Sequence, residues 1–376
     1  MFKSPFGWLL IVIFILFILV CFAPIIITQK SWISLGVDKP NEIGDTIGGI
    51  MGPIVGFIGA IATFFAFWMQ YKANQEQFKQ FKNQNDDIRV ERFENRFYEL
   101  LKIHRDNVQE FEIVRYSDSE NKLTGRRIFV SMVEELQLSY KAAELANNIL
   151  IWNNKIKRNY FSKEELFLMA YLVFFDGVST DRVVSNNQPT KSLRYKILGE
   201  KYDEILSEFL SIVENIRTGF KNNMDTFSKT YVINNEEDKG GMSNISTLER
   251  IPYPKLKYIP FSGHNARLGH YFRHLYQTVK YVVEQDDKII KDKYAYVKII
   301  RAQLSNFEQV LLYYNSISIY GKPWISENYL TNWRMIKNMP LYVANFGPLP
   351  KDVLGETNSN GDKLFEVDEV EAALAQ

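Results

Sequence analysis

Apolar positions crowd into one end of this chain. From Phe6 to Ile27 no residue is charged, and a helix of that length rises about 30 Å, the thickness of a bilayer core. A second run, Ile43 to Met69, holds a single charge, Asp45, at its edge. The pattern predicts a transmembrane hairpin over residues 1–70, with helices at 6–27 and 43–69. The first run is too long for the apolar core of a cleaved signal peptide, and no small-x-small cleavage pattern follows it. Cys21 follows Ile18, Leu19 and Val20, whose bulk argues against lipoprotein processing there.

Within the second run Gly48, Gly52, Gly56 and Ala60 recur every fourth residue. They share one helix face, where a neighbouring backbone can approach closely, either the first helix or another copy of the chain. A homo-oligomer is therefore expected. Lys72, Lys79, Lys82 and Arg89 follow the run. Positive charge favours the cytoplasmic side, so two passes put both termini in the cytoplasm and only Thr28 to Glu42 outside.

Beyond Met69 the pattern turns polar. Residues 71–97 are rich in Gln, Lys, Glu and Asn without Gly or Pro, which predicts a helical stalk. Phe93, Phe97, Leu100, Leu101 and His104 mark the start of an apolar face. Helical periodicity recurs at Arg127–Asn148, Lys163–Phe175, Lys201–Phe220, Asn265–Glu284 and Tyr294–Ser316. Ser185–Ser192 and the Gly240-Gly241 stretch Asn234–Ile245 read as connectors, and Pro252, Pro254 and Pro260 hold the chain extended. No sustained strand alternation appears. The predicted class is all-α: a hairpin, a stalk, a cytoplasmic helical domain over 98–340, and a loosely packed acidic tail over 341–376 with a turn at Asn358–Gly361.

Composition narrows the function. The net charge is +1, which gives no bulk electrostatic case for DNA as a partner. A single cysteine excludes an intrachain disulfide framework. No Walker loop, dinucleotide-binding glycine loop, nucleophile elbow or cysteine zinc motif occurs, and no cofactor is expected.

The candidate chemistry sits in two helices. Three of the four histidines are His264, His270 and His274. On a wheel of Asn265–Glu284, Leu268, Phe272, Leu275, Val279 and Val282 form an apolar stripe. Arg267, His270, His274 and Tyr281 form a second stripe on the other side. Three readings of that second stripe stand side by side. It is a solvated face or interface. Alternatively its i,i+4 histidines hold a metal, although no HExxH supports this. Or Arg267, His270 and His274 act on a phosphodiester, with imidazole as acid or base and guanidinium clamping the phosphate. Arg267-x6-His274 fits the loose Arg-x4-6-His pattern of HEPN ribonucleases, which need no metal. In the next helix Arg301, Glu308 and Asn315 form a heptad line with Ser305 between, read either as an Arg301–Glu308 structural network or as the opposite wall of a shared cleft.

Several blocks carry a resemblance. Gly263-His264-Asn265-Ala266-Arg267-Leu268-Gly269-His270-Tyr271-Phe272-Arg273-His274-Leu275 resembles the signature of phage abortive infection proteins, the AbiC-like family. So do Tyr296–Ser305, Phe93–His104, Ile43–Gly49 and Tyr171–Gly177, in the same order. The likeness covers most of Ile43 to Pro340. It implies a role in antiphage defence, in which an infected cell stops growing or dies before phage matures. The apolar runs make the lipid bilayer of a bacterial plasma membrane the first expected partner, and the resemblance makes a phage protein or RNA the second. Mechanism stays open between RNA cleavage and a non-enzymatic protein that senses phage and disrupts the membrane.

Overall fold

The long helix is described from Pro40 onward, and the fixed φ of a proline is compatible with a first helical turn. The computed structural model describes residues 40–114, 122–178, 203–222, 256 and 258–366, with scattered positions between 8 and 22. Those scattered positions are helical. The rest of the first apolar run, and the connectors expected at 185–192 and 234–245, lie outside the described residues. Among the described residues one helix is long and apolar enough to cross a membrane. The architecture is mostly helical, as expected.

The first described helix, α1, spans Pro40–Gln109 with Pro53 inside it. The chain divides after Arg89 into two units, Met1–Arg89 and Val90–Gln376. In the first unit, Phe57, Phe64, Phe67 and Trp68 are exposed. Among the described residues, a Cβ placed at Gly48, Gly52 or Gly56 would meet no neighbour within 4 Å.

The second unit starts where Phe93, Phe97, Leu100, His104 and Val108 turn one helical stripe inward. An antiparallel hairpin follows, β1 (Glu112–Val114) and β2 (Lys122–Thr124), with Ile113 opposite Leu123. Only one residue per strand faces the core, too few for an alternation to be read from the sequence.

Among the described residues six longer helices follow the hairpin and build the core. Helix α2 (Arg127–Trp152) buries residues along its length and packs against α3 (Lys163–Asp176) and α4 (Asp203–Asn222). Helix α3 is apolar almost all round, as a central helix must be. Ser162 and Glu165 close its start with a capping box, and Gly177 at φ +83° ends it. Helix α4 is amphipathic and inserts Leu206, Phe209, Ile212, Val213 and Ile216. Helix α5 (Asn265–Val283) buries the expected apolar stripe and adds Tyr271 and Thr278.

The helix expected over 294–316 is two helices, α6 (Lys293–Ala302) and α7 (Asn306–Ile317). The break has a local cause. Ser305 accepts the Glu308 amide, and Glu308 accepts the Ser305 amide at 2.7 Å, a capping box that starts a new helix. Arg301 therefore stands on a different helix from Glu308 and Asn315. Short helices α8 (Lys322–Ser326) and α9 (Pro350–Leu354) follow. Pro340 does not end the packed core, because Ala344, Phe346, Leu364 and Phe365 are buried beyond it. The Asn358–Gly361 turn is closed by the Gly361 amide on the Asn358 carbonyl.

Candidate functional site

The predicted stripe of Arg267, His270 and His274 is divided among different neighbours. His264 precedes α5 and is buried, its Nε2 2.7 Å from Glu135 Oε2. The other Glu135 oxygen accepts the Phe261 amide at 2.6 Å. This pair pins the start of α5 to the middle of α2. Arg267, one turn on, donates its Nε–H to the Glu112 carbonyl of β1 at 3.1 Å. His270 is exposed. His274 is half-buried and turns toward His104 of α1.

The His104 and His274 rings lie nearly parallel, 20° between planes, with centroids 6.3 Å apart. His104 also packs on Tyr271, at 5.2 Å. Among the described residues neither ring nitrogen of either histidine has a hydrogen-bond partner. Burial, then His274, then Arg126 bring the His104 pKa down to about 4. Burial, then Arg96, lower that of His274. A charged imidazolium is disfavoured in each case because it would lose hydration and face another cation.

A second layer backs this pair. The Tyr271 hydroxyl donates to Glu308 Oε1 at 2.9 Å. Glu308 is fully buried, and its other oxygen serves the capping box. Arg126, just before α2, reaches the same oxygen at 3.9 Å and donates to the Gln303 carbonyl. Burial, and then Glu308, raise the Tyr271 pKa well above the ordinary phenol range. The chain His104–Tyr271–Glu308–Arg126 thus ties α1, α5, α7 and the start of α2 together.

The other members of the predicted line are engaged separately. Arg301 donates to the Arg334 carbonyl at 2.9 Å. Asn315 donates to the Tyr171 hydroxyl at 2.8 Å. Sequence reading missed His104, Glu135 and Arg126 as partners. His104 was legible as part of an apolar face, but a residue far away in the chain supplies its neighbour. Glu135 shares a helix face with Ile128, Met132 and Leu138, which marks it as buried, but nothing in the sequence names His264 as its partner.

Chemically, the cluster offers two neutral imidazoles near neutral pH with guanidinium groups close by. Among the described residues no group of three or more His, Cys, Asp or Glu is placed to hold a metal ion. An open groove of about 390 Å³ lies elsewhere, lined by Glu164, Phe167, Lys322, Ile325 and Pro348 among others, and no histidine lines it.

Residues 263–342 match the family described as "Putative phage abortive infection protein". The match starts at the glycine before the His264 anchor and runs through α5, α6, α7 and α8, so it includes His274, Tyr271 and Glu308. No match arises among curated proteins or among solved structures.

Proposed function

We propose that this chain is a membrane-held abortive infection protein whose helical domain responds to phage from the cytoplasmic side, without an enzymatic step of its own. The observation that carries the antiphage role is the family match over 263–342. The anchor rests on the apolar part of α1, whose large side chains are exposed, and on the cationic residues that follow Met69. We assign the bilayer-crossing part to residues 43–69, with a second pass at 6–27 and both termini inside.

Two observations favour a non-enzymatic domain. Arg267 is held by a strand carbonyl, while His274 stacks on His104, so the Arg/His pair is not poised on one phosphate. The buried polar groups tie α5 and α7, inside the family match, to α1 and the start of α2, outside it, which suits a domain that transmits a binding event. The ribonuclease reading keeps one point in its favour: a lowered pKa leaves His274 neutral and competent as a base near pH 7.

The order of events in infected cells separates these readings. Membrane potential and RNA integrity are followed after synchronous infection of cells expressing the protein. Depolarisation before RNA fragmentation is the expected result. RNA fragmentation first, abolished by His274→Ala at normal protein abundance, would establish the ribonuclease instead. Reporter enzymes fused to Gln376 and near Leu35 test the topology. An externally active Gln376 fusion contradicts it.

A further inference from the structure

Between Tyr71 and Arg89 the only large apolar residues are Tyr71, Phe78, Phe81 and Ile88. All four are exposed on α1, Phe78 at 76% and Phe81 at 68%. Their spacing is the heptad one. With Phe78 as position a, Tyr71 and Asn85 are also a, and Asn74, Phe81 and Ile88 are d. The register extends upstream through Phe64 at a and Phe67 at d, both exposed. Beyond Val90 the apolar side chains leave this seam, and Phe93 and Phe97 turn into the core.

We infer that this seam pairs with the same seam of a second copy, in parallel and in register. The charges choose that partner and direction. Position e carries Lys82 and Arg89, and position g carries Gln77 and Gln84. Parallel pairing sets Lys82 beside Gln77 and Arg89 beside Gln84 of the other copy. Antiparallel pairing sets e against e and brings the cations together. Asn85 at a and Asn74 at d meet their own counterparts only in a parallel, in-register pair, where their side-chain amides bond each other. The exposed parts of Tyr71, Phe78, Phe81 and Ile88 supply roughly 500 Å² of apolar surface per chain, and the flanking e and g side chains extend the contact toward the size of a standard interface. The seam differs from the Gly48/Gly52/Gly56 face, and the pairing does not depend on what the helical domain does.

The test uses the full chain in membranes of expressing cells, with Cys21→Ser as background. Single cysteines enter at Asn85 and Asn74, on the seam, and at Glu76 and Asn83, on the outer side. A disulfide needs Cα atoms within about 7 Å, so mild oxidation should give roughly tenfold more covalent dimer from Asn85→Cys and Asn74→Cys than from the outer pair. Adding Phe78→Glu and Phe81→Glu to Asn85→Cys should remove that dimer while leaving abundance unchanged, because both side chains are already exposed. Equal crosslinking from all four positions overturns the seam, as does none from any. Dimer that survives the two Glu changes also overturns it, since the contact would then lie elsewhere.

Discussion

A Cβ on Gly263 would lie 2.7 Å from the carbonyl carbon of Asp176, and one on Gly177 would lie 2.9 Å from that of Ser262. The segment leaving α3 and the segment entering α5 cross backbone to backbone here. The Val178 amide donates to the Phe261 carbonyl, and the His264 amide to the Phe175 carbonyl. Both glycines have positive φ, +83° and +87°.

Gly263→Ala should therefore cost at least about 2 kcal/mol, from a strained φ and a backbone clash together. Gly125→Ala is the control. Its φ is +62° but its Cβ meets no described atom within 4 Å, so it should cost about 1 kcal/mol. Thermal unfolding of the purified chain in detergent reads both. Equal losses would mean the crossing is looser than the structure has it.

That crossing explains part of what the sequence disclosed. The blocks Tyr171–Gly177 and Gly263–Leu275, distant in the sequence, supply the two sides of this one backbone contact. The amphipathic helices were legible because burial repeats with the helical period, as at Phe209, Ile212 and Ile216 of α4. The break before α7 was written as Ser305-x-x-Glu308 but lay inside a continuous apolar periodicity, which masked it. The His104–His274 and Glu135–His264 pairs were illegible for a different reason. Each joins helices distant in sequence, and one chain gives no local sign of which helices meet.

Acid should loosen the histidine layer. A lowered folded-state pKa means the unfolded chain binds a proton first. His104 has a reference value of 6.5 and about 4 in the fold. Stability should hold above pH 6.5 and fall as pH drops toward 4, by up to about 3 kcal/mol for His104 alone. His274 acts in the same direction. Melting temperature measured from pH 7.5 to 4.5 should fall, and His104→Leu should flatten the lower part of the curve. An unchanged slope in that variant would move the effect to other groups.

Glu308 should matter more than any surface carboxylate. Glu308→Leu strands the Tyr271 hydroxyl and the Ser305 amide, at a cost of about 2–4 kcal/mol. Tyr271→Phe should cost about 1–2 kcal/mol, and the double variant less than the sum, because the two share one bond. Arg126→Ala, whose side chain is half-exposed, should cost under about 1 kcal/mol. Strict additivity of the Glu308 and Tyr271 effects would contradict the hydrogen bond.

Plaque counts read the antiphage role without an intermediate assay. A panel of phages is plated on cells that express the chain and on cells that carry an empty vector, with the protein measured in the membrane fraction. Far fewer plaques are expected for at least one phage, with infected cultures that stop growing and release little phage. Arg267→Lys and His270→Ala at normal abundance should keep that protection. Equal plaque numbers with and without the protein for every phage in the panel, at confirmed abundance in the membrane, would contradict the antiphage role.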